Sequence, residues 1–246
     1  MNLFWKSLAG NSLAVFLLFL APTVCAAQQT TVSNASVNER FRITENGIEV
    51  IEATLPSRPD GELAFLVLEH LCNDIGPRVS GTEGMLRQQA LLKQHFENLG
   101  ATVFYQPFQV RHPVNQRPVE LRNLIARFHP DRRLRILICC HYDTRPFPDR
   151  DKNNPTGVFL GANDGASGVG LLCELARYLP TLESEYGVDL ICFDGEEFVY
   201  QARRDPLFLG STHFANQYVA NPRTARYSAG VLVDMIGDKD LTLFQE

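Results

Sequence analysis

The feature that most restricts the fold of this chain is a set of three short apolar runs, each closed by acidic or imidazole side chains. Leu134 to Cys140 (LRILICC) ends in His141-Tyr142-Asp143. Asp189 to Phe193 (DLICF) ends in Asp194-Gly195-Glu196-Glu197, and the run from Ala229 ends in Asp234. Near-continuous apolar segments of this length are what strands covered on both faces require. Helical patterns lie between and before them, over 62–72, 85–99, 165–179 and 211–218, with Thr82 as a capping residue for the second. The Gly76-Pro77 pair and Gly100 mark stops. Residues 102–110 alternate as an edge strand, because Pro107 cannot donate to a ladder on both sides, and 119–128 reads as its neighbour. Strands alternating with helices predict an α/β fold of three layers, with a mixed, largely parallel central β-sheet flanked by helices.

One large domain fits 246 residues, and it is expected over 61–246. Residues 28–60, rich in Thr, Ser, Asn and Glu, are expected to be a loosely ordered lead-in. Residues 1–27 read as a signal peptide: Lys6 supplies the positive start, Leu13 to Leu20 the apolar centre, and cleavage falls after Ala26 or Ala27. The chain is therefore expected to be secreted or periplasmic, with no stable membrane span once the signal is removed; a signal anchor or a lipid on Cys25 are the weaker alternatives. A formal charge of −5 leaves no basic stripe, which excludes nucleic acid as a partner. Removing the signal leaves five cysteines without a CxxC pair, an odd set that fits buried apolar packing better than metal ligation.

In open α/β sheets, ligands bind beyond the carboxyl ends of the strands. His141, Glu196, Glu197 and Asp234 all fall there, and Asp164 lies in the loop GANDGASG just before a helix. Singly, each has a plain structural role as a cap or an acidic turn. Together they need a counter-charge, since carboxylates crowded in a low-dielectric pocket repel one another. A divalent cation supplies it, and a His/Asp/Glu set suits zinc. Adjacent Glu196 and Glu197 cannot point the same way along an extended chain, so one can bind metal while the other moves protons. His70 and His213 sit on helix faces and read as packing or surface residues.

These motifs, HYD at 141–143, GANDGASG at 161–168, FDGEE at 193–197, GSTHFA at 210–215 and the VDMIGD segment around Asp234, resemble the zinc-dependent aminopeptidases and their relatives the glutaminyl-peptide cyclotransferases. The resemblance covers about residues 62–246. It implies Asp164 and Glu197 as zinc ligands, Glu196 as general acid/base, and His141 as a second-metal or supporting residue. Asp234 would hold the substrate amine in a one-zinc cyclase, or bind the second metal in a two-zinc aminopeptidase. The twelve residues from Phe198 to Leu209, with Asp205-Pro206-Leu207 near their end, resemble the cyclotransferase insert, though Ala202 stands where that family tends to place its bulky aromatic, leaving Tyr200 as the substitute substrate contact. GANDGASG is nearer the aminopeptidase form. The expected activity is formation of N-terminal pyroglutamate with release of ammonia, on a peptide or protein N-terminus. Hydrolysis of N-terminal residues, or an inactive binding module on the same scaffold, are the alternatives. No histidine follows Asp234, where the family places its last metal ligand, so the chain is expected to be C-terminally shortened and its own turnover low.

Overall fold

The computed structural model describes residues 14–18, 40–44, 47–51, 54–221 and 225–241. Its centre is a mixed sheet. From one edge, β4 (Thr102–Arg111) pairs antiparallel with β5 (Pro118–Phe128), and β5 antiparallel with β7 (Gly187–Phe193). Then β6 (Leu134–His141) runs parallel to β7, and β8 (Arg226–Val233) parallel to β6. Pro107 lies on the edge strand, as its missing N–H demands. Alongside β8 runs β1 (Ala14–Leu18), also parallel, taken from the apolar centre of the expected signal; the rest of residues 1–27 lies outside the described residues.

Among the described residues, four α-helices flank the sheet: α1 (Glu62–His70), α2 (Glu83–Asn98), α3 (Ser167–Ala176) and α4 (Leu209–Ala220). The alternation within β7 explains the three layers. Leu190 and Cys192 pack into the main core with Leu92 and Phe96 of α2 and Leu172 and Cys173 of α3. Ile191 and Phe193 face the other way, into a smaller cluster closed by Phe214 and Tyr218 of α4. A strand covered on both faces has no reason to alternate in polarity, which is why DLICF reads as one apolar run.

Two expectations are corrected here. The lead-in over 28–60 contains a hairpin, β2 (Phe41–Thr44) with β3 (Gly47–Val50), because Phe41 and Ile48 are buried in the main core. Thr82 precedes α2 in extended conformation but makes no side-chain cap; its Oγ1 donates instead to Val79 O at 2.6 Å. The five cysteines among the described residues are all buried free thiols. Among the described residues, no helix is long and apolar enough to cross a membrane.

Candidate metal and acid-base site

The three parallel strands end at one rim. His141, the last residue of β6, is 1% exposed. Its Nε2 lies 3.0 Å from Asp164 Oδ1 and 3.4 Å from Asp234 Oδ1, while Nδ1 lies 3.6 Å from Asp143 Oδ1. None of these contacts has hydrogen-bond alignment: both ring nitrogens, and Asp234 Oδ1, are buried without a hydrogen-bond partner among the described residues. One donor atom each from His141, Glu196 and Asp234 lies within 4.8 Å of the others. Buried polar atoms left unsatisfied are costly, and a divalent cation would satisfy these donors and offset their charge. The residues present therefore fit a metal ion.

Asp164 reaches this point through a kinked turn, Ala162–Ala166, in which Asp164 (φ −88°, ψ 96°) and Gly165 (φ 97°) leave helical geometry before α3 begins. A Cβ at Gly165 would come within 3.1 Å of Asp143 O and 3.2 Å of His141 Cε1. Only glycine lets the chain pass this close to the imidazole at positive φ. The turn is also tied to the segment after Asp234, since Asn163 Oδ1 accepts from Gly237 N at 2.7 Å and Ser167 Oγ from Ile236 N at 3.2 Å. Asp164 does not serve as a helix cap, and its carboxylate belongs to the rim.

Asp143 has a role that its place in the HYD motif does not announce. It is fully buried, and its two oxygens accept the backbone N–H groups of Glu196 (3.0 Å) and Glu197 (2.8 Å). The end of β6 thereby holds the turn after β7. Asp194 anchors the same turn from below, accepting from Ser80 Oγ at 2.6 Å and Arg122 N at 2.8 Å. Arg145 is equally silent in the sequence. Its guanidinium bonds Glu197 through Nε and Asp149 through Nη1, at 2.9 and 3.0 Å for the latter. Arg145 and Asp149 both lie in the stretch directly after HYD, so proximity to that motif is their one signal.

Electrostatics separate the acids. Burial, reinforced by the charges of Asp234, Asp143 and Glu197 and opposed by His141, pushes the Glu196 carboxyl up to about 8. Asp164 goes the other way: burial would raise it, but its contact with His141 holds it below the ordinary carboxylate range. Burial works against the His141 imidazolium, yet Glu196 and the three neighbouring aspartates outweigh that and raise it well above normal. Burial raises Glu197 in spite of the Arg145 bond.

Tyr200, three residues past Glu197 in the chain, sits in an aromatic group, 4.5 Å between ring centres from His112 of the β4–β5 turn, 5.6 Å from Phe198 and 6.0 Å from Phe147. His213 stacks on Phe108 at 4.7 Å, and His70 pairs with Asp74 at 2.8 Å, so both are packing or surface residues.

A helix-flanked mixed sheet whose parallel strands bring one imidazole and several acids to a common carboxyl rim defines an α/β protein with a cation-type site. The family model described as Peptidase family M28 matches residues 123–245, half of the chain, and the chain belongs to that family. It is 30% identical over 192 residues to the glutaminyl-peptide cyclotransferase of Bos taurus, covering 67% of this chain and 51% of that protein. Among solved structures, the glutaminyl cyclase of Fimbriiglobus ruber superposes with a TM-score of 0.68 at 40% identity, over 74% of this chain and 65% of that one. A Zn-dependent exopeptidase from Parabacteroides distasonis superposes with a TM-score of 0.64 at 30% identity, over 77% and 65%. The chain spans about half the length of the curated relatives it matches.

Proposed function

We propose that the protein to which this chain belongs is a zinc-dependent glutaminyl-peptide cyclotransferase, converting an N-terminal glutamine to pyroglutamate with release of ammonia. The observation that carries the reading is the convergence of His141, Asp164, Glu196 and Asp234 on one rim, in a chain resembling glutaminyl cyclases along most of its length. Asp164, kept ionised by His141, and Glu197, bonded to Arg145, are assigned as metal ligands, with His141 beside them. When bound, zinc would polarise the γ-carbonyl of the glutamine. Asp234 holds the α-amine near that carbonyl, and much of the acceleration comes from this placement. Glu196, a buried acid that titrates near neutrality, takes a proton from the amine and returns it to the departing ammonia. Tyr200 and its aromatic neighbours offer an apolar wall to the rest of the peptide.

A second reading, hydrolysis of N-terminal residues, is favoured by His141 Nε2 lying 3.0 Å from Asp164 Oδ1 and 3.4 Å from Asp234 Oδ1, a set that suits a second metal with Asp164 shared, and it would use two zinc ions instead of one. One experiment separates them. The protein is offered a glutaminyl peptide and a leucyl amide, each with and without chelator. Ammonia release from the first supports the cyclase; cleavage of the second replaces it with the peptidase; activity on neither, with metal bound, leaves a binding module. Glu196→Gln is expected to lower turnover by about three orders of magnitude while metal uptake persists. Retained turnover would remove Glu196 from the mechanism.

On the same reading, residues 1–27 act as an export signal and the mature enzyme works in the periplasm or outside the cell. Cleavage would take Ala14–Leu18 away from β8 and open that edge of the sheet. N-terminal sequencing of exported protein should begin after Ala26 or Ala27; an uncut terminus would overturn this.

A further inference from the structure

The smaller core holds a cavity that the proposed chemistry does not use. It measures about 410 Å³, within the range of small-molecule sites, and lies between α4 and the sheet. Phe104, Ile125, Phe214, Tyr218 and Tyr227 form apolar walls, and the amides of Gln106, Gln217 and Asn221 supply polar groups. Its charged residue is Arg127, which belongs to a cluster of buried polar contacts at the amino end of β7. There Asp189, fully buried, accepts from Arg127 Nε (3.0 Å) and Nη2 (2.9 Å), from Arg135 Nε (2.9 Å) and from Tyr227 Oη (2.6 Å).

Two guanidiniums therefore share one carboxylate, and that carboxylate has no acceptor capacity to spare. Arg135 has further acceptors, since backbone oxygens of Phe128, His129, Arg132 and Val188 take its remaining N–H groups at 2.6 to 3.1 Å. Arg127 has no such supply. Its Nη1 makes no hydrogen bond among the described residues, its side chain is 21% exposed, and it lines the cavity with Phe104 packed 5.5 Å from its Cζ. Among the described residues, no acid lines the space. A surplus positive charge with free donors, set in an aromatic wall, is complementary to an anion with a flat apolar body.

We propose that this cavity is a second binding site, on the α4 face and apart from the metal rim, for a small aromatic carboxylate: the acid group meets Arg127 and the ring lies among Phe104, Phe214 and Tyr218. The inference does not rest on the cyclotransferase reading, because no residue of the rim contributes to it. Binding of 1-naphthoate to the full chain, followed by its own fluorescence, tests it, with 1-naphthylmethanol as a neutral control of similar shape. The acid is expected to bind and the alcohol at least about tenfold more weakly. Arg127→Gln should bring the acid down to the level of the alcohol. If that variant does not fold, Phe104→Ala, on the edge strand and with Arg127 intact, should weaken both probes while the circular dichroism spectrum stays native. Equal affinity for acid and alcohol, no binding of the acid to folded protein, or binding unchanged in both folded variants would each overturn the site.

Discussion

The two ends of the parallel strands treat buried charge in opposite ways. At the amino end of β7, Asp189 is surrounded by Arg127, Arg135 and Tyr227, and its oxygens are fully engaged. At the carboxyl rim, Asp143, Asp164, Glu196 and Asp234 surround His141, whose ring nitrogens find no aligned acceptor. The first arrangement leaves no carboxylate oxygen short of a donor, and its surplus guanidinium, Arg127, opens onto the α4 cavity. The second has more negative charge than its cations neutralise, and donor atoms that nothing among the described residues satisfies. Saturated charge holds a fold together; unsaturated charge is a place for something else.

The largest test breaks the saturated end. Asp189→Asn should cost roughly 3–5 kcal/mol, because it leaves two guanidiniums, that of Arg135 fully buried, facing a neutral amide. Denaturant melts would show this, and a loss under about 1 kcal/mol would mean the cluster is not what ties β5, β6 and β7 together at that end.

His95 sharpens the contrast as a third way of burying an ionisable group. It is fully buried in the main core, with Nε2 3.1 Å from Cys173 O, and burial, only partly offset by that hydrogen bond, lowers its pKa from 6.5 to about 4. The unfolded chain therefore takes up the proton first as pH falls. The stability this group provides is intact above pH 6.5 and is lost as pH falls through about 4, amounting to roughly 3 kcal/mol. Measured as the difference between the protein and a His95→Asn variant, this slope should appear between pH 6.5 and 4 and nowhere else. A difference that is flat with pH would mean that folding leaves the His95 pKa unchanged.

The smallest test trims one donor. Tyr227→Phe leaves Asp189 with both guanidiniums and should cost about 1 kcal/mol. A cost near that of Asp189→Asn would make the phenol, rather than the charges, the centre of the cluster.

The order of the elements was legible in the sequence because β6, β7 and β8 are apolar on both faces and each stops at an acid. Rim membership was legible for His141, Glu196, Glu197 and Asp234 for the same reason: a strand end fixes direction as well as position. Asp164 came from its motif, and the kink that turns it toward His141 depends on the φ of Gly165, which a residue type permits but does not announce. Asp143 and Arg145 act by reaching across to another strand's loop, a pairing that depends on tertiary packing. The hairpin within 28–60 was hidden because Phe41 and Ile48, helped by a partly buried Ile43, carry its burial among polar neighbours. The Asp189 cluster went unseen because an acid inside DLICF reads as a strand-start polar residue until Arg127 and Arg135 are brought alongside it.

Because Asp143 grips two successive peptide N–H groups, the placement of Glu196 and Glu197 is set by main chain fastened to a strand. The chain beyond Glu197 bears none of that duty. Past the buried Phe198 and Val199, the stretch from Tyr200 to Phe208 can thus change in length and side chains without shifting the acids of the rim.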